Sequence, residues 1–247
     1  MTYMIANIVQ NKQISPDIRD IFEMELHVPE MPTIRAGQFV MVYLDTGKNL
    51  LPRPISICRQ QGASIFLVYK IVGEGTEYMA RLSKNVPLRI LGPLGNGFTI
   101  NKRGGQGKIA LVGAGVGIPP MVALANELNA QVVTLSNHLD VFLGFRDKPF
   151  LVEHFTNPYT TNGDLIELVK QQNHDYDEIF ACGPKPMLSK LAEYAKSKGI
   201  PLQVSLEERM ACGIGTCMGC VAETITSYTK ICCEGPVFYS DEVKLDD

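Results

Sequence analysis

The chain has 247 residues, 45% of them apolar and 20% charged, with a formal net charge of -3. That length suits about two domains of roughly 100 to 200 residues, and near-average composition argues against a wholly disordered, collagen-like or coiled-coil protein. With a slightly acidic balance and no Lys/Arg-rich block there is no electrostatic footprint for nucleic acid, whose binding is dominated by phosphate contacts.

Residues 1–12 lack the basic stretch, apolar run and small-residue cleavage site of a signal peptide, which predicts a cytoplasmic chain without a membrane anchor. Segments 5–10, 20–28, 38–44, 55–59, 64–72 and 86–91 are rich in β-branched or aromatic residues and bounded by turn signals. Strands at that spacing predict a small antiparallel barrel. A helix is expected at 76–82, with Thr76 as its N-cap. After Lys108 the pattern becomes strand, turn, helix. The uncharged run 109–125 imitates a membrane span but is short for one. Its Gly113, Gly115, Gly117 and Pro119-Pro120 instead predict a buried strand, a glycine turn and a helix beginning near the prolines, where missing N–H groups do no harm. Strands at 141–145, 178–181 and 202–206 alternate with helices at 164–171 and 185–198, which implies a parallel sheet.

The turn Gly113-Ala114-Gly115-Val116-Gly117 lies where such a sheet offers N–H groups to a pyrophosphate. Ile118 stands at the third glycine position of the full fingerprint, so the loop reads equally as a tight turn or a phosphate site. The expected units are a barrel at 1–100, an α/β parallel-sheet unit at 101–207 and a C-terminal unit at 208–247 that is too small to bury a core of its own.

Seven cysteines are present, and five of them crowd into the 22 residues from Cys212 to Cys233. In a reducing compartment such clustering points to metal or redox chemistry rather than disulfides. Cys212, Cys217 and Cys220 have the spacing C-x4-C-x2-C with a further cysteine eleven residues on, the plant-type [2Fe-2S] arrangement. Gly213 and Gly215 in the first loop let the backbone wrap closely and aim N–H groups at sulfur. Zinc is the rival metal, although structural zinc sites usually pair their ligands as two knuckles and here the fourth cysteine stands apart. That fourth ligand is Cys232 or Cys233. An extended segment would turn neighbouring thiols to opposite faces, and Ile231 before the pair with Gly235-Pro236 after it predicts a strand running into a turn.

This order of barrel, nucleotide-type sheet and cysteine cluster resembles the ferredoxin-reductase-like flavoproteins with an appended [2Fe-2S] domain. Locally, Arg53-Pro54-Ile55-Ser56-Ile57, Gly113 to Met121, Glu208-Arg209-Met210-Ala211-Cys212-Gly213-Ile214-Gly215 and Gly235-Pro236-Val237-Phe238 are similar to the electron-transfer subunits of class 1B dihydroorotate dehydrogenase. The resemblance spans essentially the whole chain. It implies FAD held between barrel and sheet, NADH as electron donor, and passage of electrons through the cluster to the FMN of a separate catalytic subunit in pyrimidine biosynthesis, in a heterotetramer of two of each.

Carried over residue by residue, it implies flavin contacts at Arg53, Pro54, Ile55 and Ser56, a second flavin strand at Val68, Tyr69 and Lys70, and phosphate contacts at Gly75 and Thr76. Gly113, Gly115 and Gly117 are the dinucleotide-loop candidates. Cys182, before Gly183-Pro184, implies a corner near the nicotinamide and has no nucleophilic role. The cluster ligands implied are Cys212, Cys217, Cys220 and Cys232, the last because the family's Val-Cys-x-x-Gly-Pro ending places it three residues before Gly235. Relatives usually carry Thr-x-Asp-Gly-Ser-x-Gly before the Cys-Gly-Pro corner. Here 155–168 is a shorter run, so weaker dinucleotide binding or another electron donor is expected. Two other readings remain open on the sequence: a reductase subunit of a hydrogenase or sulfite reductase complex, and a zinc-bearing binding module.

Overall fold

In a computed structural model of the chain, which describes residues 2–44, 47, 51–100, 107–131 and 139–245, the first six strands close into a barrel. They are β1 (Thr2–Ser15), β2 (Ile18–His27), β3 (Phe39–Tyr43), β4 (Arg53–Gln61), β5 (Ser64–Lys70) and β6 (Pro87–Leu94), paired antiparallel in the order β1-β2-β5-β4-β3-β6. Successive side chains along a strand point to opposite faces. On β1 this turns Met4, Ala6 and Ile8 inward and leaves Tyr3 and Ile5 exposed. Met24, Leu26, Ile65 and Ile90 join them in the barrel core.

Helix α1 (Glu74–Ala80) packs on this barrel through buried Met79, and Asn11 of β1 donates to the carbonyls of Met79 and Leu82 at 2.8 and 2.9 Å. Thr76 is not its N-cap. Gly73 holds that position, while the Thr76 hydroxyl accepts from the Val72 N–H at 2.9 Å and donates to the Gly73 carbonyl at 3.0 Å. A threonine one turn in thus ties the entering chain, and the helix starts two residues earlier than expected.

The second half is a sheet whose parallel strands are β7 (Ile109–Ala114), β8 (Leu139–Gly144), β9 (Tyr159–Thr161), β10 (Glu178–Cys182) and β11 (Leu202–Ser205), in the order β11-β10-β7-β8-β9. Helices α2 (Ile118–Gln131), α3 (Leu165–Gln172) and α4 (Lys185–Lys198) connect them. Every residue of β10 is buried, as expected for a strand covered on both faces. β9 falls within 155–168, where no strand was expected. Its residues carry no apolar run, with Thr160 exposed between half-buried Tyr159 and Thr161, and it exists through its pairing with β8 and the stacking of Tyr159 on Phe142 at 5.0 Å. From central β7 the chain runs one way through β8 and β9 and the other through β10 and β11. The crevice at the carboxyl ends of β7 and β10 is therefore the reversal of strand order at which open α/β sheets take ligands.

The C-terminal residues form a hairpin of β12 (Val221–Glu223) and β13 (Tyr228–Lys230), a single helical turn α5 (Ile231–Glu234), and β14 (Val237–Tyr239), which adds antiparallel to β11. Their core is borrowed. Cys220, Ile231, Cys232 and Val243 pack in one cluster with Met41 and Leu94 of the barrel. At two contacts only glycine fits, both with positive φ: a Cβ on Gly213 would lie 2.6 Å from Met41 Cγ, and one on Gly95 would lie 2.4 Å from Pro236 Cδ. The expected strand at Cys232-Cys233 is instead the turn α5. The Thr229 hydroxyl and the Lys230 N–H both donate to the Glu234 carboxylate, at 2.8 and 2.6 Å, which winds the segment before Gly235. Among the described residues, no helix is long and apolar enough to cross a membrane.

Candidate cofactor sites

Between barrel and sheet lies a cleft of about 810 Å³, within the range of small-molecule and cofactor pockets. Arg53, Pro54, Ile55 and Ser56 line it from β4, and Val68, Tyr69 and Lys70 from β5; Thr76 adds to it from α1. These residues are distant in sequence and meet because β4 and β5 are barrel neighbours. Gly75 contributes by having no side chain. A Cβ there would fall 2.1 Å from Arg53 Nη2 and 2.2 Å from its Nε, so the guanidinium lies flat on the glycine. The same guanidinium donates to the Leu51 carbonyl, which holds its planar fork at the cleft wall.

Not every polar group on these strands is directed at a ligand. The Tyr69 hydroxyl donates to Asn11 Oδ1 at 2.9 Å, and burial pushes its pKa up, so it is a neutral anchor within the barrel. Lys70 pairs with Asp20 at 2.9 Å.

On the sheet side, the glycine loop presents Val116 to the cleft, while its three glycines serve the backbone. A Cβ on Gly113 would meet Met121 Cγ at 3.0 Å, and Gly115 sits at φ +56. Gly117 is the most constrained of the three: its Cβ would lie 2.2 Å from the Cys182 carbonyl oxygen. The loop is thus folded onto the end of β10. Cys182 is buried there. Burial pushes its thiol well above the usual range, the Glu207 carboxylate adds to this, and a hydrogen bond with Ser205 offsets it only partly. A neutral buried thiol suits the non-nucleophilic part assigned to it.

The far wall was not among the expected site residues. Ser205, Leu206, Glu207, Glu208, Arg209 and Met210 run along the cleft from the end of β11 toward Cys212. Lys185 at the start of α4 holds this run by pairing with Glu208 at 2.7 Å. Surrounding protein raises the Glu207 carboxyl although its side chain is open to the cleft. The family-like run beginning at Glu208 was a signal for this wall, but it is the return of the chain from sheet to barrel that makes it one.

Beyond Met210 the four expected thiols come as two pairs. Cys217 bears on the ionisation of Cys212, and Cys220 on that of Cys232, whose N–H it accepts. Backbone N–H groups address each sulfur: Ile214 to Cys212 at 3.4 Å, Gly219 to Cys217 at 3.4 Å, Cys232 to Cys220 at 3.4 Å and Gly215 to Cys232 at 3.2 Å. Burial opposes ionisation of Cys212, but hydrogen bonds from Thr216, the Ile214 N–H and Cys217 carry it down to about 5. Cys232 is pushed up to about 12 by burial and by its Cys220 neighbour. Cys233, the rejected alternative, is exposed, whereas Cys232 is buried with its sulfur toward the loop. Among the described residues no three or more His, Cys, Asp or Glu side chains converge on a single ion. Two thiol pairs with N–H donors match a two-iron cluster, which takes two protein ligands on each iron.

Residues 207–244 match the family described as the iron-sulfur cluster binding domain of dihydroorotate dehydrogenase B. The chain is 34% identical to the electron transfer subunit of dihydroorotate dehydrogenase B (NAD(+)) from Clostridium perfringens, over 99% of both chains. The chain belongs to the family of dihydroorotate dehydrogenase B electron transfer subunits. The Caldanaerobacter subterraneus member is 35% identical, with 97% of this chain and 98% of that one covered. Among solved structures, a chain of the NADH-dependent reduced ferredoxin-NADP oxidoreductase superimposes with a TM-score of 0.84 at 25% identity, covering 98% of this chain and 90% of that one. The ferredoxin reductase of carbazole 1,9a-dioxygenase shares the fold, with a TM-score of 0.67 at 17% identity over 82% of this chain and 66% of that one. The residues present fit the cofactors of such a subunit. The cleft offers apolar walls at Ile55, Val68 and Val116, a flat guanidinium on a bare glycine for a diphosphate, and a hydroxyl at Ser56. The paired thiols offer the donor set of a [2Fe-2S] cluster.

Proposed function

We propose that the chain carries electrons between NADH and the FMN of a dihydroorotate dehydrogenase catalytic subunit, through FAD in the cleft and a [2Fe-2S] cluster at the cysteine pairs. The observation that carries this reading is the run 205–210, which lines the cleft at one end and enters the first cluster ligand at the other, so a single short segment joins the two sites. When bound, the flavin accepts a hydride and releases electrons singly, and the cluster passes them one at a time. Arg53 holds the diphosphate as a charge-assisted donor. Ser56, Ile55, Pro54, Val68, Tyr69, Lys70, Gly75 and Thr76 shape the flavin side of the cleft. Gly113, Gly115 and Gly117 form the dinucleotide loop, which packs against the uncharged, buried Cys182 at the corner proposed to lie near the nicotinamide. Cys212, Cys217, Cys220 and Cys232 are the cluster ligands.

The proposed division is 1–100 for FAD, 101–207 for the nucleotide and 208–247 for the cluster. The working form is a heterotetramer with two catalytic subunits in the cytoplasm, where reduced thiols favour such a site. The same carriers run in either direction, and the relatives carry NAD(+) in their name. Anaerobic mixing of the purified subunit with NADH should bleach both flavin and cluster absorption, and copurification from the native host should recover an FMN enzyme that oxidises dihydroorotate. A colourless protein, or one that stays partner-free and unbleached, would refute the assignment.

A further inference from the structure

The loop between Cys212 and Cys217 is held by a side chain from the opposite ligand segment. Gly215, in the middle of that loop, donates its N–H to Cys232 Sγ at 3.2 Å, the shortest of the four N–H to sulfur contacts described above. Its carbonyl accepts from Lys230 Nζ at 3.1 Å. Lys230 closes β13 immediately before the turn that bears Cys232, so its side chain straps the turn to the loop. The strap has a fixed root, because the Lys230 N–H donates to Glu234 at 2.6 Å. Gly215 itself has a single backbone setting, at φ +79, and a Cβ there would lie 2.7 Å from Cys233 Sγ. Both polar groups of one residue are therefore engaged, one with a ligand sulfur and the other with an ammonium.

We infer that Lys230 is a positioning residue that sets the reduction potential of the cluster by fixing the Gly215 N–H on Cys232. Hydrogen bonds to ligand sulfurs and local net charge are what a protein uses to set such potentials. Reduction adds negative charge to the site, so an N–H aimed at sulfur and a nearby ammonium both favour the reduced state. Loss of Lys230 removes the ammonium and loosens the amide, and the two effects have the same sign. The Glu234 carboxylate opposes the ammonium but is present in every variant, so it cancels from the comparison.

The inference rests on the cluster assignment above, and the experiment separates the two. In the complex of full-length chain and catalytic subunit, an electron-paramagnetic-resonance redox titration of Lys230→Met should show the oxidised-to-reduced ratio at fixed potential raised about tenfold, a downward shift of about 59 mV for one electron. Iron content and the flavin titration should match the parent, and Lys230→Arg should restore the parent potential. If the methionine variant does not assemble a cluster, Lys230→Gln serves in its place, with a shift in the same direction. An unshifted potential at full iron content in the methionine or glutamine variant overturns the role of Lys230 while leaving the ligands intact. A parent protein without a cluster signal overturns the ligand assignment and this inference together.

Discussion

Gly75→Ala separates what the glycine does for the fold from what it does for the ligand. The residue is the second of α1 and buried, and its missing Cβ is the space taken by the Arg53 guanidinium, 2.1 Å from the position a methyl would occupy. Nothing in its backbone demands glycine, because it lies within the helix without a positive φ. Alanine there should stabilise the flavin-free protein by about 0.5 to 1 kcal/mol, the usual helical penalty of glycine. The obstacle is the end of a flexible side chain, so the protein yields by moving Arg53. Displacing that donor from its proposed place on the diphosphate should forfeit a charge-assisted hydrogen bond of about 1.5 to 3 kcal/mol, weakening FAD binding about tenfold to a hundredfold. The assay is a thermal melt of the deflavinated protein beside a fluorescence titration with FAD. Unchanged affinity with raised stability would refute the placement of Arg53 on the diphosphate, and Arg53→Ala should reproduce the weaker binding without the gain in stability.

Cys232→Ser should lose or distort the cluster spectrum while Cys233→Ser keeps full iron content, because the buried thiol is addressed by the Gly215 N–H and the exposed one is not; the reverse pattern would overturn the ligand choice. Gly117→Ala would drive a methyl to 2.2 Å from the Cys182 carbonyl, a backbone atom that cannot swing away. Overpacking of this kind costs about 1 to 3 kcal/mol, and a denaturant midpoint equal to the parent's would contradict it. At the amino ends of the parallel strands, opposite the cleft, Asp140 accepts from Tyr176 at 2.7 Å, His174 at 2.8 Å and Lys108 at 3.1 Å. Burial works to raise this carboxyl, but those three partners hold it below its ordinary value. Its stabilisation is complete above the unfolded pKa near ~3.9 and is lost as the pH falls through the lower folded value. Asp140→Asn should therefore cost about 1.5 to 3 kcal/mol at pH 7, with the gap to the parent closing only below about pH 4 in urea titrations; a gap independent of pH would remove the carboxylate from the account.

The barrel, the parallel sheet and the clustered cysteines were legible from the chain alone, because each is written in local order. β-branched and aromatic segments bounded by turn signals mark the barrel strands, continuous apolar runs mark β7 and β10, and the spacing C-x4-C-x2-C marks Cys212, Cys217 and Cys220. Arg53 to Ser56 and Val68 to Lys70, which line the cleft, were picked out only through resemblance, since an arginine before a proline has no local meaning. Other features depend on residues far apart in the chain. β9 forms because β8 offers an edge to a segment without strand character of its own. The wall 205–210 becomes part of the cleft only when the chain crosses back from sheet to barrel. The family's Val-Cys-x-x-Gly-Pro ending pointed to Cys232, but the different settings of the two thiols have a tertiary cause: Glu234 winds a helical turn where a strand was expected, so Cys232 is buried against Gly215 and Cys233 is left exposed. The C-terminal unit, too small for a core, holds its shape on Met41, Leu94 and β11, and so the cluster site exists only on the assembled barrel and sheet.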